Sequence, residues 1–134
     1  MSRIGITPDN EGMDFIRRVL ELQKEGDILL EGIFTHFSTA DEEDITYTKK
    51  QWDIFEGFLT ELRAVGIEIP VIHAANSAAI MCHSYADLNV VRPGIILYGY
   101  YPSTYLQGKV LDLEPAMTLK TQVVHVKELP EGSY

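Results

Sequence analysis

Three apolar runs in this sequence each end in a short polar or glycine-bearing string, and this repetition constrains the fold more than any other feature. The strings begin at Thr35, Ala75 and Val91. Amphipathic helical patterns precede and separate the apolar runs, so helix and strand alternate along the chain. Such alternation is typical of parallel α/β sheets and barrels. In those folds the carboxyl ends of the strands share one face, where the chemistry takes place.

The spacing of the apolar residues predicts the individual elements. Gly26 and Gly66 stand where the first two helices should end, because glycine adopts the left-handed conformation of a helix terminus. Pro93 should end the third strand, because proline cannot donate to a strand ladder. The helices are predicted over residues 11–24, 43–65 and 78–83, and the strands over 28–37, 67–75 and 88–92. The residues predicted to face the core are Met13, Ile16, Val19 and Leu20 in the first helix and Tyr47, Ile54, Phe55, Phe58 and Leu62 in the second.

The pattern changes after Tyr100. Residues 100–115 are loop-like, and residues 117–129 alternate as in a strand with Thr and Val on its faces. This change predicts two parts, an α/β part over 1–110 and a linker with the start of a second domain over 111–134. Because a complete α/β barrel needs about 250 residues, we expect a piece of a larger protein; a small irregular α/β unit is the alternative.

Composition narrows the partners and the compartment. With 11 basic and 20 acidic residues the formal charge is −9, which argues against nucleic acid and against an anionic membrane surface. No apolar stretch approaches the length of a membrane span. The single cysteine, Cys82, excludes an internal disulfide and indicates a reducing, cytoplasmic location. Four acids in a row, residues 41–44, are predicted to open the second helix, where negative charge is favourable.

Ser77 and Gly94 follow two strands that should be neighbours. A hydroxyl and free amides at a helix start can bind phosphate, and a glycine lets backbone amides approach a ligand closely. The simpler interpretations are an N-cap serine and a turn glycine. Because both residues stand at adjacent strand ends, we expect them to converge on one phosphate.

Arg92 ends an apolar run and keeps its charge, so it needs acceptors if it is buried. His36 and His73 end the two preceding strands, and their neutral rings could orient the guanidinium. A surface salt bridge is the alternative for Arg92. His36, His73 and Asp41 are also metal-ligand types, but they contain no closely spaced pair and Arg92 would repel a cation, so we expect no metal site.

Taken together, the strings resemble alanine racemase, a pyridoxal-phosphate (PLP) enzyme of fold type III. The resemblance implies part of a (β/α)8 TIM-type barrel, about its last three strands, leading into the first strand of a C-terminal β-domain. Residues 119–132, with Val124-His125-Val126-Lys127, resemble the entry into that β-domain. The strings that carry the barrel resemblance are Met1-Ser2-Arg3-Ile4-Gly5, Gly32-Ile33-Phe34-Thr35-His36-Phe37 with Asp41-Glu42, His73-Ala74-Ala75-Asn76-Ser77-Ala78-Ala79, Val91-Arg92-Pro93-Gly94-Ile95, Leu97-Tyr98-Gly99 and Pro102-Ser103.

The resemblance implies roles around the cofactor. Ser77 and the amides of Gly94 and Ile95 hold the phosphate, and Asn76 lines the cofactor site. Arg3 contacts the phenolic oxygen of PLP and the carboxylate of the substrate.

Arg92 hydrogen-bonds the pyridine nitrogen, with His36 and His73 holding it in place, and Asp41 lies on the substrate corridor. Since arginine keeps its proton, the pyridine nitrogen stays unprotonated, which suits racemisation.

Both catalytic bases of the family fall outside the matching positions. The lysine that binds the cofactor covalently, and a second lysine that is often carbamylated, would precede Met1. Alignment on Gly132 places the catalytic tyrosine just past Tyr134; the alternative is that Tyr134, in Ser133-Tyr134, is that tyrosine. Lys120 and Lys127 stand in β-domain context and cannot replace the cofactor lysine. We therefore expect the 134 residues alone to be inactive and to contain no catalytic residue.

The parent function that this resemblance implies is interconversion of L- and D-alanine for peptidoglycan precursors. Two opposed bases would exchange the α-proton of a PLP external aldimine, in a cytoplasmic homodimer. The alternatives are another fold-type III PLP amino-acid racemase and a non-catalytic structural or interaction module.

Overall fold

Two parallel strands, with helices before, between and after them, form the ordered framework of the computed structural model, which describes residues 4–133. Three short 3-10 turns follow, at Ser84–Ala86, Ile95–Tyr98 and Thr104–Leu106. The main elements are α1 (Asn10–Glu25), β1 (Gly32–Phe34), α2 (Thr46–Ala64), β2 (Val71–His73) and α3 (Ser77–Cys82).

The strands β1 and β2 pair in parallel, with Ile33 opposite Ile72 and Phe34 opposite His73. The helix α2 is the crossover that parallel neighbours require. Gly32 permits the close pairing, since a Cβ at this position would lie 2.7 Å from the carbonyl oxygen of Val71. The β–α–β order confirms the predicted α/β class, and the carboxyl ends of both strands lie side by side.

The helix ends follow local chemistry. Asp9 caps α1 by accepting from the Gly12 N–H at 3.0 Å, and Gly26 ends the helix with φ 89°, as predicted. The prediction that the acidic run opens α2 is wrong. The Thr46 N–H donates at 2.9 Å to the carboxylate of Asp44, which lies two residues earlier in the chain. This local bond competes with the backbone hydrogen bonds of a helix. The helix therefore begins after the acids.

The core-facing sides of α1 and α2 agree in part with the prediction. Met13 and Ile16 are buried, and so are the predicted Phe55, Phe58 and Leu62; Val19 and Leu20 are half-buried.

Tyr47 and Ile54 are half-exposed, so placing them in the core was wrong. Thr48 and Phe55 lie on the buried face instead. Each follows Tyr47 or Ile54 by one residue, which rotates its side chain by about 100° around the helix. The Thr48 hydroxyl is satisfied by that of Thr39 at 3.1 Å.

The predicted third strand, residues 88–92, does not form. One backbone bond joins it to the chain after β2, from the Arg92 N–H to the Ala75 carbonyl at 2.9 Å. The other hydrogen bonds of this segment to residues 70–72 come from the side chain of Asn89, where a strand would use its backbone. Its Oδ1 accepts from the Ile72 N–H at 2.8 Å, and its Nδ2 donates to the Pro70 carbonyl at 2.6 Å. The segment runs beside β2 without becoming a strand.

The predicted strand over residues 117–129 is also absent. Its alternating side chains are exposed, with Leu119 at 96% and Val124 at 94%. A strand needs a partner for its backbone groups, and none of residues 4–133 pairs with this segment. The division of the chain at residues 110 and 111 stays a prediction.

Gly99 allows the chain before that segment to pack closely. It has φ 77°, and a Cβ there would lie 1.8 Å from the carbonyl oxygen of Glu114. The Ala116 N–H donates to the Tyr98 carbonyl at 2.9 Å, so residues 114–116 are fixed against this turn. Within residues 4–133 no helix combines the length and apolar character needed to cross a membrane.

Candidate functional site

The guanidinium of Arg92 lies at the carboxyl ends of β1 and β2 and contacts both. Its Nη2 donates to the carbonyls of Thr35 at 2.9 Å and Ala74 at 3.1 Å, and approaches His36 Nδ1 at 3.4 Å. Its Nη1 donates to His73 Nδ1. The ion pairs found in the described part of the chain lie on α1, so the salt-bridge alternative for Arg92 is wrong.

The contact with Arg92 assigns the tautomer of His73. A guanidinium has no acceptor, so Nδ1 of His73 accepts and the ring proton lies on Nε2. Burial lowers the pKa of His73, and the charge of Arg92 lowers it further. Burial also lowers the pKa of Arg92, but an arginine remains charged in proteins. The structure therefore brings together the three residues predicted to form this cluster, as one cation held by neutral acceptors.

Ser77 is the first residue of α3, not its cap. The cap is Asn76, whose Oδ1 accepts from the Ala79 N–H at 3.0 Å, so the N-cap interpretation of Ser77 is wrong. The Ser77 hydroxyl instead accepts from the Gly94 N–H at 2.8 Å. Its own hydrogen stays available, and Ile95 opens a 3-10 turn with an N–H outside the bonds of that turn. The Ser77 hydroxyl and the Gly94 amide thus meet, and the Ile95 amide follows next in the chain. The phosphate role of the three residues stays a prediction.

Asn76 and Asp41 each take part in a hydrogen bond between a side chain and a distant backbone carbonyl. Besides capping α3, Asn76 donates from Nδ2 to the Phe37 carbonyl at 3.3 Å, so it ties α3 to the loop after β1. The backbone carbonyl of Asp41 accepts from the Ser103 hydroxyl at 2.7 Å. The cofactor-lining and substrate-corridor roles of these two residues stay predictions. Arg3 and Tyr134 lie outside the described residues.

Phe34 belongs to this cluster although no role was predicted for it from the sequence. Its ring stacks on that of His73 with centroids 5.0 Å apart and planes 12° apart, and Arg92 lies 5.4 Å above its centroid. The signal was available, because Phe34 stands two residues before His36 and therefore on the same face of an extended chain. The sequence could not indicate the two carbonyl acceptors of Arg92, since every residue has a backbone carbonyl. Among residues 4–133 no group of three or more His, Cys, Asp or Glu side chains could hold a metal ion.

Comparison with known proteins gives a consistent family. Residues 1–102 match the family profile described as "Alanine racemase, N-terminal domain". The alanine racemase of Methanococcus maripaludis is 48% identical over 133 residues, which are 99% of this chain and 35% of the relative. That of Clostridium tetani is 48% identical over 134 residues, all of this chain and 34% of the relative. The chain thus spans about a third of the length of the curated relatives it matches.

Solved structures agree. Alanine racemase from Clostridium difficile 630 in complex with cycloserine superposes with a TM-score of 0.81 at 44% identity, covering 96% of this chain and 34% of the other. The Bacillus anthracis alanine racemase with bound L-Ala-P gives a TM-score of 0.77 at 38% identity, covering 87% and 30%.

Proposed function

Because the chain belongs to the alanine racemase family through its match to the N-terminal domain, we propose that it forms one wall of a PLP site in an enzyme that interconverts L- and D-alanine. The chain is a segment of an α/β barrel. The proposal concerns the parent enzyme, of which this segment supplies the contacts to the phosphate and the pyridine nitrogen.

The observation that carries the proposal is the environment of Arg92. Its acceptors are two carbonyls and two imidazole nitrogens, none of which is an anion, so the positive charge of Arg92 remains for a further acceptor. A pyridine nitrogen fits this donor, since it has one lone pair and no proton of its own. Arg92 keeps its hydrogen while donating it, so that nitrogen stays unprotonated. PLP, when bound, supplies the electron-withdrawing ring that stabilises charge at the substrate α-carbon.

Ser77, Gly94 and Ile95 fit the phosphate. The Gly94 N–H donates to the Ser77 hydroxyl at 2.8 Å, so the two groups are adjacent. A phosphate bound here would accept the hydroxyl hydrogen and would replace that hydroxyl as the acceptor of the Gly94 amide. A Cβ at position 94 would lie in ordinary van der Waals contact with the Ser77 oxygen, at 3.4 Å, so residue 94 and the Ser77 hydroxyl are direct neighbours.

The remaining parts of the proposal rest on the family resemblance. Arg3 binds the substrate carboxylate, Asp41 lines the substrate path, and the two opposed bases come from outside residues 1–134. We place the parent enzyme in the cytoplasm, which the single cysteine of these 134 residues supports. It acts there as a homodimer that supplies D-alanine for peptidoglycan precursors.

A segment exchange tests the proposal. The 134 residues replace the matching segment of the Clostridium tetani relative, and racemisation of L-alanine is followed by circular dichroism in the presence of PLP. We expect the chimera to be active and the isolated chain to be inactive and not fixed to PLP by borohydride. An active isolated chain, or a correctly folded chimera that neither binds PLP nor racemises alanine, would overturn the proposal.

Arg92→Leu in the chimera tests the residue that carries the proposal. Loss of one charged hydrogen bond, about 1.5–3 kcal/mol, lowers kcat by about 10- to 150-fold. The matched control is Arg17→Leu on α1, an exposed arginine paired with Asp14, which leaves kcat unchanged. Equal effects of the two substitutions would remove Arg92 from the site.

A further inference from the structure

We infer that Phe34 is a positioning residue that fixes the His73 ring and the Arg92 guanidinium in the orientation that the proposed pyridine contact requires. The inference rests on the proposed function for its consequence in catalysis, but its structural part concerns contacts within this chain.

The strand register places Phe34 beside His73. The two residues are directly paired in the β1–β2 ladder, and paired residues project their side chains from the same face of a sheet. Their rings are nearly parallel, with an interplanar angle of 12°. Stacking of this kind limits the rotation of the imidazole about its Cβ–Cγ bond. It therefore fixes the plane in which His73 Nδ1 lies, and the hydrogen bond with Arg92 selects the edge of the ring.

The same phenyl ring contacts the partner of that nitrogen. The central carbon of the Arg92 guanidinium lies 5.4 Å from the ring centroid, within the range of a cation–π interaction. Phe34 thus touches both members of the Arg92–His73 hydrogen bond. Among the ring-stacking and cation–π contacts of residues 4–133, those of Phe34 are the ones that involve His73 or Arg92.

Burial does not explain the presence of this ring. Phe34 is 57% exposed, so transfer out of water contributes only part of what a core phenylalanine contributes. Its stacking and cation–π contacts are with the His73 imidazole and the Arg92 guanidinium. An aliphatic residue of similar size would retain some packing here, but it would offer no π face to the guanidinium and no flat surface to the imidazole.

The test compares Phe34→Leu with Phe34→Tyr in the 134-residue chain. Long-range ¹H–¹⁵N spectra report the imidazole tautomer, and exchange of the Arg92 Nη–H protons reports how firmly the guanidinium is held. We expect the leucine variant to lose the Nε2–H tautomer preference of His73 and to speed this exchange. The tyrosine variant keeps both properties, because it keeps the ring. Phe15→Leu on α1, which removes a comparably exposed ring, is the matched control and changes neither.

In the chimera, Phe34→Leu lowers kcat for alanine about two- to fivefold, the effect of one exposed cation–π contact. Phe34→Tyr restores it. An unchanged tautomer and unchanged exchange in the leucine variant, or the same changes in the tyrosine variant, would overturn the inference. An inactive parent chimera would overturn the proposed function alone, since the spectra of the isolated chain stand apart from activity.

Discussion

At the scale of the residue, the acceptors of Arg92 matter more than its position. An arginine paired with a carboxylate is neutralised, whereas one held by carbonyls and imidazoles keeps its charge for a ligand. In a chain of formal charge −9, this leaves a local cation at the strand ends. Sequence reasoning could identify Arg92 and the two histidines, because their types and strand-end positions are unusual. It could not identify the Thr35 and Ala74 carbonyls, because only the path of the backbone selects them.

His73 makes stability depend on pH. Its pKa is lower in the folded chain than the ordinary 6.5, so below that value the unfolded chain binds more protons. Stability is therefore fully present above pH 6.5 and falls as the pH drops towards the folded pKa. We expect the urea midpoint to decrease from pH 7.5 to pH 5.5, and to decrease less in His73→Gln. His125→Gln, at an exposed position, keeps the dependence of the unsubstituted chain; the same flattening in both variants would contradict this assignment.

At the scale of the element, helices followed from the sequence and strands did so only in part. The bounds of α1 lie within one residue of the prediction, because apolar spacing and a terminal glycine are local signals. The alternating residues 117–129 carry an equally regular pattern and form no strand. A helix satisfies its own backbone, but a strand depends on a partner that local pattern does not specify. Residues 88–92 form no strand for a related reason, since the Asn89 side chain bonds to the backbone groups of residues 70 and 72 that a neighbouring strand would use.

Asn76 links α3 to the loop after β1. Its Oδ1 caps the helix and its Nδ2 donates to the loop, so the two contributions can be separated by substitution. Asn76→Ala removes the cap of α3 and the bond to the Phe37 carbonyl, and we expect a loss of about 1–2 kcal/mol in the free energy of unfolding. Asn76→Asp retains the cap acceptor and loses only the donor, so its loss is smaller. Urea unfolding of the three chains measures the difference. A loss in the aspartate variant as large as that in alanine would show that the cap contributes nothing.

At the scale of the whole molecule, the buried hydrophobic side chains of the described residues all lie between Met13 and Leu106. The buried side chains of α1, α2 and α3 pack with the residues that follow β1 and β2, whereas the chain beyond residue 106 is almost entirely exposed. Composition could predict a globular core of this kind. It could not predict which surfaces stay uncovered, since that depends on contacts between distant parts of the chain.

The side chain of Asn89 also affects which strand edges of this chain are free to pair with a second copy. It occupies the outer side of β2, so the two-stranded sheet has a single unpaired edge, that of β1, among the described residues. Two copies that meet through one edge each have no edge left, and growth stops at a pair. Asn89→Ala opens the second edge and makes each copy divalent, so head-to-tail polymers can grow. Sedimentation velocity over a concentration series should show monomer and dimer for the unsubstituted chain and larger species for the variant. Identical distributions would mean that a single amide group does not set the valence of this sheet.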